Sequence, residues 1–141
     1  IEMHGTLRRL RCVDCGRSRH VDNYAGLAIP PECPYCGGIL RPDVVLFGES
    51  LPDQAMHRFE QVLAAGPDLI LSVGTGSAFP YIAGPVIWAV ENGIPTIEIN
   101  PGHSPLSERV SIRLRMRAAE ALPAMLDAAG YSLDSGRDAR A

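Results

Sequence analysis

The sequence predicts an α/β protein, a parallel sheet with covering helices, preceded by a small four-cysteine zinc module. Two observations carry this expectation. Four cysteines fall as Cys12-x-x-Cys15 and Cys33-x-x-Cys36 with seventeen residues between the pairs, the spacing of a four-cysteine zinc site. Beyond Arg41 the chain passes from Cys-, Gly- and Pro-rich irregular sequence to apolar runs alternating with helical periods. Strands buried on both faces alternate with amphipathic helices in this way.

The zinc reading is geometric. A tight CxxC turn aims two thiolates at one point, and a second turn supplies the other corners of a tetrahedron. Gly16 follows the first knuckle, Gly37 and Gly38 follow the second, and Pro34 stiffens it; glycine suits the sharp turn each knuckle needs. Disulfides and buried free thiols are the alternatives. Disulfides suit a secreted chain better than the intracellular α/β enzyme suggested by the remainder. Four cysteine ligands leave no position for water or substrate, so the metal is expected to hold structure and do no chemistry.

The elements after the module read in order. Val44-Val45-Leu46-Phe47 is a short buried-type strand. Pro52 suits the first turn of a helix whose Met56, Phe59, Val62 and Leu63 share one face, and Gly66-Pro67 stops it. Residues 69–73 form a strand running into Gly74-Thr75-Gly76-Ser77, and a helix over 81–91 ends at Asn92-Gly93. Residues 96–99 are a strand ending in Asn100-Pro101-Gly102, and a last strand at 112–114 leads to a helix over 118–129. Pro123 belongs early in that helix or marks a kink. Residues 131–141 read as a disordered tail.

In parallel sheets ligands bind outside the carboxyl ends of the strands. Gly74-Thr75-Gly76-Ser77 offers hydroxyls and backbone N–H groups suited to a phosphate or ribose, although two glycines at such a turn also serve the backbone alone. Asn100 is placed to bond a ribose hydroxyl or to cap its own turn.

Composition narrows the function. The 141 residues are 46% hydrophobic and 21% charged, one soluble domain's worth of material. The net charge of -3 speaks against general polyanion binding. All 13 basic residues are arginine, so no lysine is present for Schiff-base or P-loop chemistry. Arg8, Arg9, Arg11, Arg17 and Arg19 surround the first knuckle without interleaved aromatics; a solvated basic face is expected and nucleic acid is not. No stretch approaches the ~18–20 apolar residues of a membrane span. Membrane contact is not expected, and a cytoplasmic location is. The chain opens on Ile1 and is read as a portion of a longer protein.

Glu2-Met3-His4-Gly5, the paired knuckles, the run Arg41-Pro42-Asp43-Val44-Val45-Leu46-Phe47-Gly48-Glu49-Ser50-Leu51-Pro52, then Val73-Gly74-Thr75 and Ile99-Asn100 occur in that order. In these motifs the chain resembles the sirtuins, the Sir2-type NAD-dependent protein deacylases, over residues 1–127. The resemblance implies part of a Rossmann-like, DHS-like NAD-binding domain with an inserted zinc module. Residues 1–5 would end a preceding Rossmann segment, 6–41 form the zinc module, and 42–130 form the C-terminal half. It implies an NAD-dependent protein-lysine deacylase, deacetylase by default, that moves the acyl group to ADP-ribose and releases nicotinamide. An inert NAD-binding or zinc-ribbon interaction module is the alternative.

By position the resemblance assigns zinc to Cys12, Cys15, Cys33 and Cys36. It assigns an acyl-lysine peptide to Val45, Leu46, Phe47, Gly48 and Glu49. NAD falls to Gly74, Thr75, Gly76, Asn100, Pro101, Gly102 and Ala118. Gly76 stands where the family usually has Ser, the stretch to Pro80 is one residue short, and Met116 stands where Gly is common. The family's glycine-rich NAD loop and the histidine of its His-x-x-Ala-Gly motif are expected upstream of Ile1, so no catalytic residue is assigned here. His4 matches a structural turn, and His20, His57 and His103 are expected to be surface or packing residues.

Overall fold

The computed structural model describes residues 1–131, so the expected tail beyond Tyr131 lies outside the described residues. The chain forms two compact units, Ile1–Ala64 and the part from Ala65 onward.

In the first unit, β1 (Gly5–Cys12) lies between β2 (Ser18–His20) and β3 (Leu40–Val44), antiparallel to both. The register on β3 shifts between Thr6 and Leu10, an extra-residue irregularity of the bulge type. Leu10 and Cys12 point into a small core with Val21, Cys33 and Leu40, and Leu27 packs on it. The module expected to be irregular is thus a three-stranded sheet with a core. Helix α1 (Asp53–Ala64) follows; Met56 donates its N–H to the Pro52 carbonyl at 3.0 Å. Met56, Phe59 and Leu63 are half-buried and Val62 is exposed.

The strand expected at 44–47 is displaced. The observed strand is Leu40–Val44 and belongs to the antiparallel sheet. Val45 adds one more bond, its N–H to the His4 carbonyl at 2.9 Å, before the chain turns through Gly48 at φ 88°. Phe47 is 97% exposed. Four apolar residues in a row imitate a buried strand, but here only Val44 stays in the sheet and the rest lead into a surface turn.

The second unit is a parallel sheet in the order β4 (Ile70–Val73), β5 (Thr96–Ile99), β6 (Ile112–Leu114). Helix α2 (Pro80–Glu91) has Pro80 in its first turn, where the missing N–H costs nothing. It buries Val86 and Ala89 and ends at Asn92. Helix α3 (Ala118–Ala128) runs on through Pro123. Val73 pairs with Ile99, and Ile99 with Leu114, so the loops after all three strands start level. Among the described residues no helix is long and apolar enough to cross a membrane.

Candidate functional site

The four cysteines converge. Cys12 Sγ lies 3.5 Å from Cys36 Sγ and Cys15 Sγ 3.7 Å from Cys33 Sγ, and all four sulfurs lie within 4.8 Å of one another. A tetrahedral zinc with bonds of about 2.3 Å sets its sulfurs roughly 3.8 Å apart, so the cluster fits that metal. The separations exceed a disulfide bond of about 2.05 Å, and all four cysteines are free. The two knuckles are built alike: Gly16 donates to the Cys12 carbonyl at 3.2 Å and Gly37 to the Cys33 carbonyl at 2.9 Å. Both glycines sit at positive φ, 71° and 76°, where a Cβ would be strained.

The thiols of the cluster differ in how firmly they hold their protons. The Cys15 N–H, more than any other group, lowers the Cys12 thiol to about 7. The Gly38 N–H lowers Cys36, but the neighbouring Cys15 and Cys12 thiols and burial outweigh it and push Cys36 up to about 12. Zinc takes the place of these protons, so its binding weakens in acid.

The turn after β3 is tied by one ion pair. Arg41 Nη1 and Nη2 meet the two Glu49 carboxylate oxygens at 2.5 and 3.0 Å, and Nη2 also donates to the Val44 carbonyl at 2.8 Å. The Leu46 N–H donates to Glu49 Oε2 at 2.9 Å, and the Glu49 N–H to the Leu46 carbonyl at 3.0 Å. Residues 45–49 are thereby held as a fixed turn with Phe47 in solvent. Arg9 and Arg11 both reach Asp43, at 2.6 and 3.1 Å.

The hydrogen bonds of Arg41, and then the Leu46 N–H, hold the Glu49 carboxyl down to about 2 from an ordinary 4.5. A carboxyl depressed in the folded state contributes stability that is present above its unfolded pKa and lost as pH falls through the folded one. Glu49→Gln is therefore expected to melt below the wild type at about pH 6 and to converge with it toward about pH 2. Paired thermal melts across that range check this; a constant gap at every pH would contradict it.

In the second unit the strand-end loops are joined. The Asn100 amide Nδ2 donates to the Thr75 carbonyl at 2.9 Å while Oδ1 accepts the Gly102 N–H at 2.9 Å. Thr75 Oγ1 accepts the Ser77 N–H at 3.2 Å. Ser77 is a non-glycine residue at positive φ, 49°, and its buried hydroxyl has no hydrogen-bond partner among the described residues. The expected residues Gly74, Thr75, Gly76, Asn100, Pro101 and Gly102 therefore stand at two loops clasped by one side chain. Ala118 opens α3, half-buried. A Cβ at Gly76 would meet open space, so packing does not require glycine there.

The histidines are occupied at the surface. His20 lies 3.2 Å from Asp22, His57 3.0 Å from Gln61 and His103 3.3 Å from Glu108.

The family model of the Sir2 family matches residues 1–79, more than half of the chain. The chain belongs to the Sir2 family. Among Sir2 relatives, NAD-dependent protein deacylase 2 of Pseudomonas aeruginosa is 44% identical over 124 residues, covering 87% of this chain and 48% of that protein. The NAD-dependent protein deacylase of Aquifex aeolicus is 38% identical over 128 residues, covering 90% and 53%. The crystal structure of a Sir2 homolog–NAD complex superposes with a TM-score of 0.82 at 32% identity, over 89% of this chain and 49% of that one. The structure of Sir2Tm bound to a propionylated peptide gives 0.80 at 25% identity, over 94% and 56%. The chain spans about half the length of the curated relatives it matches. The Sir2 fold expected from the sequence, mixed α/β with a parallel sheet and a four-cysteine cluster, is the one found.

Sequence reasoning missed Arg41 as organiser of the 45–49 turn, the buried Ser77, and Glu98 with Arg113. Glu98 carried a signal: a lone acid inside an apolar parallel strand needs partners.

Proposed function

We propose that this chain supplies the zinc module, the peptide-binding turn and the adenosine-side NAD contacts of an NAD-dependent protein-lysine deacylase. Residues 6–41 are the zinc module and 42–130 belong to the nucleotide-binding half, with 1–5 ending its preceding segment. NAD, when bound, would supply an electrophilic ribose carbon with nicotinamide as its leaving group. Cys12, Cys15, Cys33 and Cys36 hold zinc in a closed shell, away from the reaction. Val45, Leu46, Phe47, Gly48 and Glu49 take the acyl-lysine peptide, whose backbone adds as an extended strand. Reduced thiols suit a cytoplasmic location.

The observation that carries the reading is Asn100. Its amide binds the loop after β4 to the loop after β5 at the carboxyl ends of parallel strands, where such sheets hold their ligands. Thr75 Oγ1 and Asn100 Nδ2 each keep one proton to offer a ribose or phosphate. Gly74, Gly76, Pro101 and Gly102 let the backbone approach the nucleotide, and Ala118 lies on the adenine side.

Thr75→Val and Asn100→Ala are expected to weaken NAD binding several-fold, each lost hydrogen bond being worth about 0.5–1.5 kcal/mol. Asn100→Ala should also lower the melting temperature, because it frees the Thr75 carbonyl and the Gly102 N–H. Calorimetry with NAD beside thermal melts separates the two roles. If melting falls while the NAD dissociation constant holds, these side chains only pin their turns.

A further inference from the structure

Glu98 is fully buried in β5, between Ile97 and Ile99. A carboxylate in such a place survives only with strong partners. Its Oε1 accepts the Ser104 hydroxyl proton, and its Oε2 accepts that of Ser107 at 2.6 Å. Each serine is used twice: Ser104 Oγ accepts the Leu106 N–H at 3.1 Å and Ser107 Oγ the Ser104 N–H at 2.9 Å. Arg113, directly opposite Glu98 across the β5–β6 ladder, brings Nε to 3.5 Å from Oε2, an ion pair without a hydrogen bond. The same guanidinium donates from Nη2 to the Gly102 carbonyl at 2.8 Å and lies 3.6 Å from Glu108.

The segment after β5 is therefore fastened along its length. Arg113 holds Gly102, Glu98 holds Ser104 and Ser107, and Leu106 is buried beneath them. Ahead of these anchors Asn100 takes the Gly102 N–H on one side and reaches Thr75 on the other. Gly102 is gripped at both its N–H and its carbonyl, so the Glu98–Arg113 pair fixes the atoms on which Asn100 depends.

We propose that Glu98 and Arg113 are positioning residues for nucleotide binding at Asn100–Gly102. This rests on the reading of that loop as an NAD contact. Neither residue needs to touch NAD; together they set where Asn100 and the Gly102 backbone stand. Lysine at 113 keeps the charge but lacks the planar fork that serves Glu98 and Gly102 together. Glutamine at 98 places an N–H₂ against a serine hydroxyl that is already a donor and removes the attraction to Arg113.

The test uses the full-length gene product carrying Arg113→Lys, Ser107→Ala or Glu98→Gln. Steady-state KM for NAD and for an acetyl-lysine peptide, NAD calorimetry, zinc content and melting are read together. The expected result is a rise of roughly tenfold in the NAD dissociation constant and KM for Arg113→Lys, with peptide KM and zinc content unchanged. Ser107→Ala should show a smaller rise in the same direction. If Glu98→Gln does not fold, the two milder variants decide. Unchanged NAD affinity in folded variants overturns the positioning role while leaving the NAD reading intact. A parallel rise in peptide KM with loss of zinc also overturns it, since that marks general loosening. Failure of the wild type to bind NAD overturns the NAD reading and the positioning role with it.

Discussion

Serine in place of Cys12 is expected to abolish zinc binding and unfold the first unit. Cys12 and Cys33 belong to the four-sulfur cluster and to the core at once, 0% and 3% exposed in a core otherwise made of Leu10, Val21 and Leu40. So few apolar side chains bury little surface. A four-thiolate zinc site contributes on the order of 10 kcal/mol or more to folding, comparable with the whole stability of an ordinary domain, about 5–15 kcal/mol. The metal is therefore expected to dominate the balance. Far-UV circular dichroism and elemental analysis check this for Cys12→Ser, and a strong chelator should reproduce the loss on the wild type. Retained structure without zinc, or a Cys–Cys bond in the purified protein, would falsify the metal reading.

The second large effect is on turnover. The 141-residue chain, incubated alone with NAD and an acetyl-lysine peptide, is expected to leave the peptide acetylated, whereas the full-length gene product is expected to remove the group. The family's base is the histidine of a His-x-x-Ala-Gly motif, and this sequence contains no such motif. His20, His57 and His103 are surface residues engaged with Asp22, Gln61 and Glu108. Loss of a positioned general base costs about 10²–10⁴ in rate, and the absent glycine-rich loop removes further cofactor contacts. Mass spectrometry of the peptide reads the outcome directly. Turnover by the chain alone would place the base on one of its own residues.

What could be read in the sequence followed from strong local signals. The strands at 70–73 and 96–99 are short β-branched or apolar segments that end at Gly74 and Asn100, and the helix between them stops at Asn92-Gly93. The metal cluster was legible because two fixed knuckles constrain all four sulfurs. β1 was not: Arg9 and Arg11 alternate with buried Leu10 and Cys12, but Arg8 breaks the pattern, and the irregularity between Thr6 and Leu10 shifts its phase. The 44–47 run misled because continuous hydrophobicity signals a strand only where both faces are covered, and Phe47 is in solvent. Asn100 was open between ligand contact and turn cap; it joins two loops through one amide, a long-range pairing that local pattern does not encode. Glu98 was visible as an acid among apolar neighbours, but its partners lie six, nine and fifteen positions later at Ser104, Ser107 and Arg113.

The level ends of the three parallel strands limit how this sheet can vary. Val73, Ile99 and Leu114 share one rung, and the next residues extend it, Gly74 N–H to the Ile99 carbonyl and Asn100 N–H to the Leu114 carbonyl. One residue inserted within β5 would carry Asn100 about 3.3 Å along the strand axis and turn the side chains that follow to the opposite face. Thr75 would then lie out of its reach, and Glu98 would leave Arg113. Changes in length are expected to be accepted only outside the strands and clear of the anchors at Gly102, Ser104 and Ser107, as ahead of Ile70, where no shared rung sets the height of the chain.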